Sequence, residues 1–390
     1  MTWNIYGNSY DLTKFINEHP GGSFILESTK NVPDITALFE SYHAFSDIEK
    51  HKMILNKYLI KKDTYKNNYD FEKYHDLVNL VKKKFPNTYS IKANFYYFFI
   101  IFAMFCSYIN IAYILLFNNI SSHYKFFLVI LFGINDKGLM FNILHDSSHY
   151  GVFKNPNYNI LLSKISNSLH LWNSKLWNKH HVILHHSDTG TEDDPDSGLY
   201  KLKDNNSFFI TIFMYALLPG QHLAQSIFYL LGLYVKNPNS YDIYDLIIIS
   251  FKIYFLYNLK FLYACTYLFT LNVLYFINIF PNHSLYETKV TNKYEGDDWL
   301  KLQIQNSGNF LNDNKIWTRL FGGINYQIEH HLFPSISNIH LPEISIIVRK
   351  YCEEHNIPYV NKETLYDTFY SFWKFVTYEN DEYKKLYKVE

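Results

Sequence analysis

A small soluble domain followed by an all-α integral membrane domain with about four transmembrane helices is the fold class this sequence predicts, on three observations. The first 62 of its 390 residues mix polar and apolar positions and hold no stretch long enough to span a bilayer. The segment NFYYFFIIFAMFCSYINIAYILLF, Asn94 to Phe117, runs 24 residues without a charge, against about 20 needed to cross the hydrocarbon core. Tyr and Phe, 36 and 33 in number, gather with Ile and Leu in such stretches, which points to a lipid surface rather than one large soluble core.

Taken in order, residues 1–62 form the soluble domain, punctuated by Pro20-Gly21-Gly22, and MTWNIYGNSYDL lacks the basic-then-apolar pattern of a cleavable leader. Residues 63–92, rich in Lys, Asn and Tyr, read as a linker and cytoplasmic flank that includes Lys82-Lys83-Lys84, and 93–390 as the membrane domain. The second apolar segment, about 126–144, is interrupted by Asp136-Lys137 and pairs with the first through the nearly uncharged loop 118–123. Residues 207–235 carry no charge but are broken by Pro219-Gly220-Gln221-His222, so they are expected to lie at the membrane interface. A last pair, about 243–258 and 260–281, is joined by Asn258-Leu259-Lys260. With four spans, the basic-residue bias places the linker, the region 145–242 and the C-terminal region in the cytoplasm.

Lys+Arg and Asp+Glu both number 36, a balance that gives no reason to expect nucleic acid as a partner. Cys106 and Cys265 lie in apolar stretches and Cys352 stands alone, which argues against a disulfide framework and against a thiolate metal site.

Chemistry is carried by three histidine clusters: HDSSH at 145–149, HHVILHH at 180–186 and QIEHH at 327–331. On a helix His145 and His149 share one face, as do Gln327, His330 and His331. Imidazole nitrogen suits iron, copper, nickel and zinc. Seven or eight histidines exceed the three or four ligands of one mononuclear zinc site, so two ions are the natural reading, and neutral imidazoles at a membrane interface suit oxygen activation. In HHVILHH, α-helical winding holds His181, His185 and His186 within an arc of about 140°, while adding His180 widens it to about 240°. Three rings converge and the fourth points away.

These clusters, in this order and with the context QIEHHLFP, resemble the boxes of the membrane-bound fatty acid desaturases, in particular the front-end type fused to a cytochrome b5 domain. HDSSH is similar to the first box, HHVILHH with TGTEDDPD to the second, and GGINYQIEHHLFPSISNIH to the third, whose leading glutamine is the front-end variant. The resemblance implies two non-haem iron ions held in a cytoplasmic cap by His145, His149, His181, His185, His186, His330 and His331. It adds His283 of FPNHS, whose alternative is an interfacial histidine, and Gln327, directly or through water. It favours the HxxxHH register that begins at His181; a register begun at His180 is the alternative. Asp146 and Asp194-Pro195-Asp196 are candidates to orient ligand imidazoles, the latter being also an ordinary turn.

EHPGG at 18–22 and DITALFESYH at 34–43 place His43 24 residues after His19. The pair resembles cytochrome b5, a small α+β fold, and implies haem b with His19 and His43 as axial ligands. Phe24, Leu26, Leu38, Phe39 and Phe45 are candidates for the pocket wall. The segment before Trp3 is shorter than that family's, which implies a reduced first element. Bis-histidine ligation leaves the haem only electron transfer, and fusion gives the carrier a high effective concentration.

The function so implied is O2-dependent introduction of a cis double bond between an existing one and the carboxyl end of a long polyunsaturated acyl chain, delta-5 or delta-6 in type. The implied setting is the endoplasmic reticulum membrane, with haem domain and boxes facing the cytosol and cytochrome b5 reductase as electron source. The substrate is a CoA thioester or phospholipid-bound chain. The nearest alternatives are a sphingolipid long-chain-base desaturase or a lipid hydroxylase on the same fold. The alternative of another class is a non-catalytic membrane haem electron carrier.

Overall fold

Strands β1 (Trp3–Ile5) and β2 (Asn8–Tyr10) form an antiparallel hairpin through Tyr6-Gly7, both at positive φ. Strand β3 (Leu59–Lys61) returns alongside β2, giving the order β1-β2-β3. Helices α1 (Ser23–Ser28), α2 (Thr36–His43) and α3 (Ile48–Asn56) complete this unit around Trp3, Ile5, Tyr10, Leu26, Leu38, Phe39 and Leu55. Trp3 is wholly buried and its indole N–H donates to the Leu26 carbonyl at 2.8 Å, so the polar edge of the ring is satisfied inside the core. The computed structural model describes residues 2–62, 64–65, 69–191, 193–196, 243–288 and 297–377. The expected interfacial segment 207–235 lies outside them.

The stretch read as a linker contains α4 (Glu72–Lys82), which buries Tyr74, Leu77, Val78 and Val81. That spacing of i, i+3, i+4 and i+7 is one face of a helix, and it packs into a core with Trp299, Leu332 and Phe333. The linker is therefore a structural layer rather than a loose connection. Tyr69-Asp70 also pairs in parallel with Asp297-Asp298.

Among the described residues, three helices are long and apolar enough to cross a membrane: α5 (Phe95–Phe117), α6 (Ser122–Ser148) and Phe261–His283. The helix Ile243–Leu259 runs antiparallel to the last of these, turned by Lys260 at a φ of 73°. Most of α5 shows its side chains outward, as a lipid-facing helix must, with Phe95, Phe99 and Phe102 exposed. Helix α6 extends beyond the expected 126–144 and passes unbroken through Asp136-Lys137. Its charges are internalised: Asp136 accepts from Lys252 at 2.6 Å and from the Tyr267 hydroxyl, and the Lys137 ammonium stands 3.0 Å from the Phe141 ring centre. Polar groups at membrane depth are tolerated in this way, facing the bundle interior and paired.

Candidate metal centre

The C-terminal ends of α6 and of Phe261–His283 gather the histidines. His145 occupies the last turn of α6 and His149 caps it. His283 ends Phe261–His283, and Gln327, His330 and His331 share the short helix Gln327–Leu332. The approach to that helix needs Gly322 and Gly323, at φ of 69° and 71°. A Cβ on Gly323 would meet the Asn338 Cβ at 2.7 Å, so the turn accepts only glycine. Asn142 locks the same turn to α6, donating to the carbonyls of Gly138 and Arg319 at 2.7 Å each.

The second cluster differs from its α-helical expectation. Asn178–His185 is a π-helical segment, in which the N–H of His186 reaches the carbonyl of His181. This i→i+5 winding, frequent at functional sites, sets His181 and His186 one turn apart. The ring centres of His181, His185 and His186 lie 4.9 to 5.7 Å from one another.

Two groups of donors result. Ligand atoms of His145, His149, His181 and His330 lie within 4.8 Å of one another, as do those of His185, His283 and His331. His186 stands between, its Nε2 3.1 Å from that of His330 and its ring 4.2 Å from that of His331. The His181 and His145 Nε2 atoms are 3.2 Å apart, and the Gln327 amide end lies 3.0 and 2.9 Å from the Nε2 atoms of His283 and His331. Two donors each about 2.1 Å from one ion and about a right angle apart are separated by about 3.0 Å. The donor set therefore fits two metal ions, with nitrogen ligands that suit iron.

The opposite ring nitrogens are held in place. His185 Nδ1 donates to Asp194 at 3.0 Å, and His283 Nδ1 to the Asn306 carbonyl at 2.7 Å. His331 Nδ1 lies 3.0 Å from the Thr189 hydroxyl and 3.2 Å from Gln303 Oε1, and His149 Nδ1 lies 2.6 Å from the Tyr42 hydroxyl. Such partners fix the tautomer and aim Nε2 inward. Burial and neighbouring imidazoles hold His181, His186, His330 and His331 well below the ordinary histidine pKa, so these rings are neutral donors. At His185 burial works downward, but the Asp194 carboxylate outweighs it and pushes the imidazole up to about 9.

Of the carboxylates singled out, Asp194 touches an imidazole, while Asp146 accepts from Ser337 and from the backbone N–H of Asn338, tying the third box to α6. His180 stands outside both groups, with Nε2 2.9 Å from Asp196. Gln303 carried no sequence signal, and Thr189 and Tyr42 lie within TGTEDDPD and DITALFESYH without being singled out there.

In the N-terminal domain the His19 and His43 ring centres are 6.3 Å apart, room for an ion about 2 Å from each nitrogen. Their Nδ1 atoms are tied to the carbonyls of Gly22 and Phe39 at 3.2 and 2.8 Å, which leaves both Nε2 atoms for a ligand. A cleft of about 740 Å³ opens beside His19, bounded by Pro20 and Gly22 on one side and Lys154–Asn157 on the other. The residues fit a bis-histidine haem. Leu38 and Phe39 lie in the surrounding core as expected, whereas Phe45 turns the other way and packs on Phe333 at 5.9 Å. The domain is docked on the metal centre: Ile183, from the middle of HHVILHH, is buried in the N-terminal domain's own core, with Leu184 packed against it.

Residues 121–362 match the family model described as fatty acid desaturase, and residues 2–63 match that of the cytochrome b5-like heme/steroid binding domain. The chain is 25% identical to an acyl-lipid (8-3)-desaturase of Mortierella alpina, over 94% of this chain and 91% of that protein. It is 26% identical to a probable delta(5) fatty acid desaturase C of Dictyostelium discoideum, over 96% and 90%. A shorter likeness, 40% over 16% of this chain and 18% of the other, joins it to an sn-1 linoleoyl-lipid 6-desaturase of Synechocystis.

Proposed function

Since the chain belongs to the fatty acid desaturase family and carries a cytochrome b5-like domain at its N-terminus, we propose that it is a front-end desaturase. It inserts a cis double bond into a polyunsaturated acyl chain, at a position of the delta-5 or delta-6 type, in the endoplasmic reticulum membrane. Four helices span the bilayer, the fourth being Ile243–Leu259, with the haem domain and histidine groups on the cytosolic face. Reducing equivalents come from a cytochrome b5 reductase. The observation that carries this reading is the shared interface: Ile183 sits between iron-site histidines in sequence and inside the haem domain's core in space. The relatives with delta(5) or (8-3) names support the regiochemistry.

The reaction balances as one CH2–CH2 unit, one O2, two electrons and two protons giving one CH=CH and two waters. Two irons held by His145, His149, His181, His330 and by His185, His283, His331, with His186 and Gln327 between and beside them, supply O2 activation and hydrogen abstraction when bound. His19 and His43 would hold the haem iron between them, and with both its free positions taken by imidazole the haem would supply only single-electron delivery. On the membrane side, Phe141 stacks on His145 at 5.6 Å and Trp177 on His181 at 4.4 Å, with Trp172 and Tyr275 packed behind them. This aromatic wall keeps water from the donors and offers an apolar surface to a methylene chain.

Expression in yeast fed with 18- and 20-carbon polyenoic acids tests the proposal, with products identified by mass spectrometry. A new double bond on the carboxyl side of an existing one is expected. A haem-loaded, iron-replete preparation that yields no new unsaturated product refutes it, and hydroxylated products favour the hydroxylase alternative.

A further inference from the structure

The N-terminal domain reaches the metal centre with one polar side chain. Tyr42 is the residue before the haem-ligating candidate His43, on the last turn of α2. Its hydroxyl lies 2.6 Å from His149 Nδ1, and its ring lies nearly parallel to the imidazole, with centres 6.3 Å apart. The two residues are 107 positions apart in the chain. His149 Nε2, on the opposite edge of the ring, is buried and has no hydrogen-bond partner among the described residues. His149 belongs to the group that includes His145, His181 and His330.

Resting on the iron-site reading above, we infer that Tyr42 is a positioning residue of the iron centre: the haem domain supplies part of the shell that holds a ligand of the membrane domain. With iron on Nε2, the proton resides on Nδ1 and His149 donates it to the Tyr42 oxygen. The hydrogen bond fixes the tautomer and the tilt of a ring that no other side-chain hydrogen bond restrains among the described residues. The iron site is then complete only when α2 is docked. The haem domain thereby acts as a structural partner of the metal as well as its electron donor.

Outer partners of metal-bound histidines alter affinity by about 10- to 100-fold. Tyr42→Phe keeps the ring and its packing and removes only the oxygen. In full-length, haem-loaded protein, the iron-to-haem ratio after challenge with graded ferrous chelator is expected to fall at about 10- to 100-fold lower chelator strength than in the wild type. The Mössbauer signal of the retained iron is expected to change, while the haem absorbance spectrum stays as it was, since His19 and His43 are held by backbone carbonyls. Ile183→Ala, which loosens the same docking and leaves every imidazole in place, is expected to shift iron retention in the same direction. Tyr150→Phe, whose ring packs edge-on to Tyr42 at 6.5 Å, is expected to leave it unchanged. Wild-type iron retention and Mössbauer parameters in both Tyr42→Phe and Ile183→Ala overturn the inference alone. A wild-type protein that takes up no iron overturns both the inference and the iron-site reading beneath it.

Discussion

Adjacent histidines with the same chemistry should respond oppositely to substitution. His181 places Nε2 3.2 Å from that of His145 in a fully enclosed group, and Trp177 stacks on its ring. His181→Ala deletes a donor outright. Its effect should exceed the factor of about 10 to 100 that follows loss of a mere outer partner, more than about 3 kcal/mol, which takes iron occupancy and product below detection. His180 instead pairs with Asp196, each side chain about one-third exposed at 32%. An ion pair so exposed contributes about 1 kcal/mol or less, and His180→Gln retains a donor for Asp196. That variant should keep iron content and most of the turnover. The assay is iron per haem on purified protein, followed by product formation in fed yeast cells. Equal loss in both variants, or loss in His180→Gln alone, refutes the assignment and moves the register of the second box back by one residue.

Three further outcomes are expected. Asp194→Asn should lower iron affinity by about 10- to 100-fold, measured by chelator titration, since Asp194 accepts from His185 at 3.0 Å and from the Gly190 N–H at 2.7 Å; an amide nitrogen facing that N–H leaves a donor unpaired. Gly323→Ala should destabilise the third box by about 1–2 kcal/mol from the left-handed backbone alone, seen as a lower melting temperature and reduced iron content; an unchanged melt counts against the turn's role. His75 of α4 is bonded to the buried Glu40 of α2 at 2.9 Å, and that hydrogen bond raises its pKa. The stabilisation is thus full below the unfolded pKa of about 6.5 and is lost as pH rises through the folded value. The melting difference between wild type and His75→Gln should shrink from pH 6 to pH 8, and a constant difference would refute the latch.

The candidate site residues were legible because each cluster is local: HDSSH, HHVILHH and QIEHH announce themselves within a few positions, as do His19 and His43 by their contexts. The family resemblance was legible in the same strings, and the chain-wide likeness to desaturases agrees with it. Helix α4 was also written in the sequence, in Tyr74, Leu77, Val78 and Val81, but its Lys and Asn content drew it into the linker. The interruption Asp136-Lys137 weakened the second span on paper, because its neutralising partner Lys252 lies 116 residues away. Tyr42 and Gln303 were illegible for the same reason: closure between distant elements, rather than local pattern, brings them to the imidazoles. The π-helical winding of the second box is likewise a tertiary product, since nothing in NKHHVILH distinguishes it from an α-helix by periodicity.

The seating of Ile183 inside the haem domain has a kinetic consequence. A carrier that must diffuse to its acceptor gives a second-order step, sensitive to dilution and, where charge steers the encounter, to salt. A carrier already packed against the histidine groups gives a first-order step, indifferent to both. Electron supply to this centre should then show its salt and concentration dependence only at the step that loads the N-terminal domain from outside, leaving the internal hop as a fixed clock.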